Sequence, residues 1–291
     1  MSQLNVNVIA PLGYTGTPLT GNNNFVQVVD NNGDTVVAVN QSIYSLAIGG
    51  DNGSDVGQCI KIGRSAGFNI TSNVGGGCIA IGESALSNAS DTGNNLAVGN
   101  ASLDSVNGTT GNSNVAIGTG SGASITSGSN NTLVGHGSGV AVVPLTVGIN
   151  NTIIGYQACT AGVNSNNSVT LGNSAITTLR CAVTTITSLS DERDKKDIKD
   201  LSTGLEFVET LRPVEFTWND RDENGKRDIA DFGFIAQDLK KAQEDAEKAE
   251  VLKLVYEENP DKLEASYGKL IPILVKAIQE LSEEVKQLKN K

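Results

Sequence analysis

Ile79-Ala80-Ile81-Gly82, Leu96-Ala97-Val98-Gly99 and Val115-Ala116-Ile117-Gly118 are three copies of one short element, and their spacing decides the fold of the first part of the chain. The element, an apolar stretch closed by glycine, also occurs upstream as Leu46-Ala47-Ile48-Gly49 and Ile60-Lys61-Ile62-Gly63. Downstream it continues as Thr132-Leu133-Val134-Gly135, Thr152-Ile153-Ile154-Gly155 and Val169-Thr170-Leu171-Gly172. The glycines step by 14, 19, 17, 19, 17, 20 and 17 residues, the signature of a solenoid with one turn of chain per step. Within each step the alternation is that of a strand, one face apolar and the other small or polar. The glycine ends the strand where the backbone turns with φ > 0 or passes close to a neighbour. Four residues before each glycine stands a small or amide side chain: Ser45, Cys59, Cys78, Asn95, Asn114, Asn131, Asn151 and Ser168. Coils stacked about 4.8 Å apart turn these positions into a ladder, along which the asparagines can hydrogen-bond. Cys59 and Cys78 are neighbours in that ladder, which leaves a disulfide open without requiring one.

Composition alone gives a different reading of residues 41–176, whose Gly, Asn, Ser and Thr content suggests disorder. The periodicity overrides it. Charge marks the end of the repeats: residues 1–190 hold 3 basic and 7 acidic side chains, and residues 191–291 hold 18 and 25. That step predicts a domain boundary near Ser190. Few large apolar residues are available to fill a core within one chain, so three chains around a common axis are expected to supply the missing burial. The formal charge of -11 and a pI near 4.6 argue against nucleic acid, which needs clustered Lys and Arg. No run of about 18 apolar residues occurs, so no membrane insertion is expected. MSQLNVNVIAPLG lacks the basic start and apolar core of a signal peptide, so synthesis in a cytosol without secretory export is expected. The four cysteines fit no zinc or redox spacing and are expected to be reduced and buried.

Two resemblances add to this reading. Ile79-Ala80-Ile81-Gly82-Glu83-Ser84-Ala85 resembles the head repeats of trimeric autotransporter adhesins and the repetitive shafts of phage and giant-virus fibres. Ser190-Asp191-Glu192-Arg193-Asp194-Lys195-Lys196-Asp197-Ile198 resembles the start of the endosialidase-type intramolecular chaperone domain at the C-terminus of phage tailspikes, tail fibres and neck appendages. Leu211-Arg212-Pro213-Val214-Glu215-Phe216-Thr217-Trp218 is similar to that family's first strand. Gly233-Phe234-Ile235-Ala236-Gln237-Asp238-Leu239 is similar to the start of its next helix, and the stretch from Tyr267 to Leu281 to its closing helix. The resemblance implies autoproteolysis by a Ser–Lys dyad, with Ser190 as nucleophile and Lys195 as base, cutting one of the two bonds that flank Ser190. It also implies that the site matures only in an assembled trimer.

The chemical requirement stands independently. A serine hydroxyl needs a nearby base, and lysine serves as one only when its ammonium is desolvated or crowded by other cations. The single histidine, His136, lies far upstream, which excludes a Ser–His arrangement in the last third. Asp191 and Arg193 are read as supporting residues, and Gln237 as either polarising the scissile carbonyl or holding a loop. His136 is read as a surface residue, with a metal site on a threefold axis as the lesser alternative; no cofactor is expected. Leu274, Ile278, Leu281, Val285 and Leu288 step by 4, 3, 4 and 3, a heptad seam for a trimeric coiled coil. A helix from about Ala236 to Tyr256 is expected to face solvent.

The expected fold class is a mainly β repeat shaft, either a parallel β-solenoid or a trimeric β-helix, followed by an α+β chaperone domain ending in a trimeric coiled coil. The expected division is a virion-attachment segment over 1–40, the shaft or receptor-binding region over 41–189, and the chaperone over 190–291. The expected function is that of a homotrimeric tail fibre or spike in the virion, made in the host cytoplasm. It would attach to a baseplate or tail protein through its N-terminus and meet a host-surface receptor, a glycan. Its only enzymatic activity would be self-processing. The alternative, a glycan-depolymerising spike, needs paired carboxylates in a cleft, and the acidic residues before Ser190 are scattered among turn residues.

Overall fold

The computed structural model describes the backbone strands at 27–29, 35–38 and 45–48 and, with side chains, residues 59–70, 77–89, 93–106, 110–141, 143–182, 186–219, 221 and 228–291. The chain divides into two compact units, Met1–Asn173 and Ser174–Lys291. Of the expected attachment segment, only β1 (Gln27–Val29) and β2 (Thr35–Ala38), an antiparallel pair, lie within the described residues.

The first unit is a parallel β-solenoid wound from one chain. β4 (Ile60–Gly63), β5 (Ile79–Ile81), β6 (Leu96–Val98), β7 (Val115–Ile117), β8 (Thr132–Val134), β9 (Thr152–Ile154) and β10 (Val169–Leu171) pair in parallel, each in register with the next. β3 (Ser45–Ile48) breaks the expected series, because it pairs antiparallel to β4 with Ser45 opposite Gly63. Its glycine is 14 residues from the next, too few for the 17 to 20 that a full coil uses.

Glycine is required where each strand ends. Gly118 has φ +134, and a Cβ there would lie 2.5 Å from the Gly135 carbonyl oxygen of the next coil. Beyond the glycine the turns stack as well: Gly120 N–H donates to Asn100 O at 2.8 Å and Leu103 N–H to Ser121 O at 3.0 Å. The interior is filled from both sides. The middle residue of each strand points in, as Ala80, Ala97, Ala116, Leu133 and Ile153, and Leu86, Leu103, Ile125 and Leu145 close over it from the turns.

The expected ladder forms, and it is fully satisfied. Asn114 Oδ1 accepts from the backbone N–H and the side-chain amide of Asn131, both at 3.1 Å, while its own Nδ2 donates to Asn95 Oδ1 and Gly128 O. Asn131 repeats the pattern with Asn151 and Gly148, and Asn151 with Ser168 and Ser165. Each coil enters its ladder position through a left-handed residue, Asn94, Ser113, Asn130, Asn150 and Asn167, all with φ between 56° and 58°. Asparagine tolerates that conformation best among residues with a Cβ.

Cysteine replaces asparagine at the N-terminal end of the ladder. Cys59 and Cys78 are buried and unbridged. A hydrogen bond from the Cys78 thiol pulls Cys59 down to about 6 against the opposing effect of burial, with the Cys78 backbone N–H and Lys61 adding to the pull. The same thiol pairing and burial push Cys78 up. Lys61 holds the inward position of its coil, where Nζ donates to Gly67 O at 2.8 Å and Ile70 O at 3.1 Å. Burial pushes its ammonium below the usual lysine range, with both thiols opposing. The expectation that all four cysteines are buried fails for Cys181, which is exposed, and for Cys159, which is half-buried.

The second unit mixes short helices and strands and ends in a long helix. α1 (Leu205–Thr210) is followed by an antiparallel pair, β11 (Val214–Thr217) with β12 (Ala230–Gly233). Then come α2 (Ala236–Asp245), α3 (Ala249–Leu252), the pair β13 (Val255–Tyr256) with β14 (Glu264–Ala265), and α4 (Leu270–Lys289). The single solvent-facing helix expected over 236–256 is therefore interrupted. Glu247 at φ 55° and Lys253 at φ 46° end α2 and α3, and Leu254 N–H bonds to Gln243 Oε1 at 2.9 Å. Its inner face is core, with Leu239, Leu252 and Leu254 buried against Phe207, Leu270 and Ile273. Glu280 on α4 accepts the Leu205 N–H at 2.7 Å, capping α1. That bond, helped by Lys276, holds the Glu280 carboxyl below its usual range. Among the described residues no helix is long and apolar enough to cross a membrane.

Candidate functional site

Ser190 and Lys195 are five residues apart, and the local fold brings their side chains together. Lys195 Nζ donates to Ser190 Oγ at 2.7 Å and to the Ser190 carbonyl oxygen at 3.0 Å. The intervening residues make this contact possible by forming a 3-10 turn, Glu192–Asp194. Asp191 caps the turn, its Oδ1 accepting the Arg193 backbone N–H at 2.9 Å. Arg193 closes back on the same carboxylate with Nε at 2.9 Å and Nη2 at 2.7 Å. These bonds, the guanidinium first, hold the Asp191 carboxyl below its ordinary range. At the far end Lys195 N–H donates to Glu192 O at 3.0 Å, and an extended backbone at Lys195 releases its side chain towards Ser190.

Asp191 and Arg193 thus shape the turn and do not touch the Ser190 hydroxyl. Sequence alone gave them supporting roles without a mechanism, although an Asp before a short acidic turn is a capping signal. Gln237, exposed on the first turn of α2, makes no hydrogen bond to the dyad. His136 is also exposed and stacks on Tyr156, ring centroids 5.5 Å apart. No group of three or more potential metal ligands occurs among the described residues. The seam residues Leu274, Ile278, Leu281, Val285 and Leu288 are all exposed, while Leu270, Ile273 and Ala277, on the adjoining strip of α4, are buried.

The dyad has the contact that general-base catalysis needs and lacks the enclosure. Every residue from 186 to 200 is exposed. A cleft of about 620 Å³ lies in the same unit, lined among others by Thr203, Phe207, Arg212, Asp238 and Lys241, and it contains neither dyad residue. A lysine acts as a base only once water is removed from its ammonium, and Lys195 is exposed.

Residues 190–248 match the model of the peptidase S74 family, described as the chaperone of endosialidase. The match begins at Ser190. No curated protein and no solved structure gives a significant match to the chain.

Proposed function

We propose that this chain is a trimeric tail fibre or spike protein whose C-terminal domain drives trimerisation and then cuts itself off next to Ser190. The observation that carries the reading is the 2.7 Å bond from Lys195 Nζ to Ser190 Oγ at the first residue of the chaperone-of-endosialidase match. The exposed seam on α4 supports the trimer: the helix already buries one face in its own unit and offers a second, with heptad spacing, to partners.

Chemistry selects the bond. In cis, attack of Ser190 Oγ on its own carbonyl carbon closes a strained four-membered ring, whereas attack on the Leu189 carbonyl closes a five-membered one. Neutral Lys195 accepts the hydroxyl proton as Oγ bonds to the Leu189 carbonyl carbon. The Ser190 nitrogen then leaves with a proton from Lys195, giving an ester that water hydrolyses to a Leu189 carboxylate and a free Ser190 amine. Neighbouring chains of the trimer supply the desolvation, which ties cleavage to assembly. The shaft would face the host receptor, the N-terminus would join a baseplate or tail protein, and the assembly would reside in the virion.

The glycan-depolymerising alternative finds no support in a carboxylate pair. Among the described residues of the repeats only Glu83 and Asp104 are acidic, and Glu83 is ion-paired with Arg64. Intact mass and denaturing gels of wild type beside Ser190→Ala and Lys195→Ala test the proposal. A fragment starting at Ser190, present in wild type and absent from both variants, is the expected result. An intact chain in all three would remove the catalytic assignment and leave a permanent trimerising cap.

A further inference from the structure

The solenoid strands are patterned inside out. In β5, β6 and β7 the inward residue is alanine, and the larger Ile, Leu and Val side chains flank it on the outer face. From β4 to β10 the first and third residues of each strand point outward, and all are Ile, Leu or Val except Thr132 and Thr152. None is charged. Ile62, Ile117, Ile154 and Leu171 remain 38, 40, 42 and 55% exposed. A sheet with one face in water normally does the reverse, polar outward and β-branched inward, and guards its exposed surface with Lys or Glu. Solvation of this face does not explain its composition.

We infer that this outer sheet face packs against the same face of further copies of the chain, side by side with coils at matching heights. The pitch argues for that occupant. Six inter-strand steps of about 4.8 Å give two apolar rows about 29 Å long. Only a surface with the same spacing can set its side chains between successive coils along that whole length, and a second copy has it. In a closed threefold ring the first-position row of one copy meets the third-position row of the next, a heterologous contact repeated around the axis.

The area sets the strength. Rows two residues apart, with side-chain width added, make a band roughly 12 Å across, so the face covers on the order of 350 Å². Shared between two neighbours in the ring, it falls well short of the roughly 800 Å² per partner of a standard stable interface. The face therefore associates weakly alone and closes once the C-terminal seam holds the chains at the roughly millimolar effective concentration of a tethered pair. To that extent the inference rests on the trimer reading above.

The test uses the full chain with the photo-crosslinker benzoylphenylalanine placed at Ile117, or at exposed Thr119 beyond the glycine as control. Irradiated samples are sized by native mass and on denaturing gels. The inference expects an oligomer with interchain crosslinks from position 117 at least fivefold above those from 119, capturing residues 96–134 of another copy. It expects Ile117→Lys to keep native circular dichroism while lowering interchain capture from a probe at Ile154 at least fivefold. An oligomer whose position 117 captures nothing, captures an unrelated apolar molecule, or captures only its own chain would overturn the sheet contact and leave the seam-driven trimer standing. A monomer at all concentrations would overturn both.

Discussion

Replacing Asn131 with alanine tests the ladder at its centre. The Asn131 amide donates to Asn114 Oδ1 at 3.1 Å and Gly148 O at 2.9 Å, and its oxygen accepts from Asn151 N–H at 3.0 Å and Asn151 Nδ2 at 2.9 Å. Asn114 Oδ1 keeps a second donor, the Asn131 backbone N–H, and Asn151 Nδ2 keeps Ser165 O. Two groups, the Gly148 carbonyl and the Asn151 N–H, lose the partner that the side chain supplied. Each buried group left unsatisfied costs about 1–3 kcal/mol, so Asn131→Ala should destabilise the coils by about 2–6 kcal/mol. Asn131→Asp should cost at least as much, since it turns both donors into acceptors facing the Gly148 and Asn114 oxygens and buries a charge. Exposed Asn100→Ala should stay within about 0.5 kcal/mol of wild type. Native-state hydrogen exchange of the β7, β8 and β9 amides reads the effect where it arises. A loss below about 1 kcal/mol for Asn131→Ala, or an aspartate milder than alanine, would refute the ladder as the source of stability.

Gly118→Ala forces a Cβ to within 2.5 Å of backbone at φ +134, and strain plus overpacking should cost about 2–6 kcal/mol. Gly120→Ala has φ +66 and no atom within 4 Å of its Cβ, so it should cost only about 1–2 kcal/mol; equal losses in denaturant unfolding would sink the close-approach explanation. The Cys59–Cys78 pair should also make shaft stability depend on pH. Folding lowers the Cys59 thiol to about 6 from the ordinary 9.0, so the folded state binds fewer protons between those values and stability rises with pH across that window. The lowered Lys61 works in the same direction, and the raised Cys78 reverses the slope only above the ordinary thiol range. Unfolding midpoints from pH 6 to 9 should climb for wild type and climb less for Cys59→Ser; parallel profiles would refute the shared-proton pair.

The periodic features were the legible ones. Seven of the eight glycine elements form stacked parallel strands, because each satisfies the same local rules of alternation, left-handed turn and close approach. The eighth, Leu46-Ala47-Ile48-Gly49, has the same letters and a shorter step, and its strand direction depends on the length of chain between elements. Which strand face turns inward was not legible either. Alternation gives two faces, and the rule that larger apolar residues lie inside gives the wrong one for Ala80, Ala97 and Ala116. In the second unit the short 3-10 turn joining Ser190 to Lys195 follows from the Asp191 cap. The break after α2 depends on Gln243 reaching across to Leu254, a tertiary bond with no local signature.

A chaperone that guides intertwined chains rich in non-local contacts does not fit a single-chain solenoid. Each coil pairs with the next, 17 to 20 residues away, so winding is local and should be fast. The difficulty moves to assembly. Outer rows that repeat every coil make side-by-side packing nearly degenerate: two shafts slipped by one coil lose only one coil's worth of contact and keep the rest in pitch. Among the described residues the outer rows carry no charge that would penalise that error. A heptad seam that pairs the same residues of every copy would do so, by favouring the unslipped arrangement. On the proposed reading, the C-terminal domain sets the height at which shafts meet rather than the path by which each one folds. On that reading cleavage waits on assembly, so it reports that register has been set.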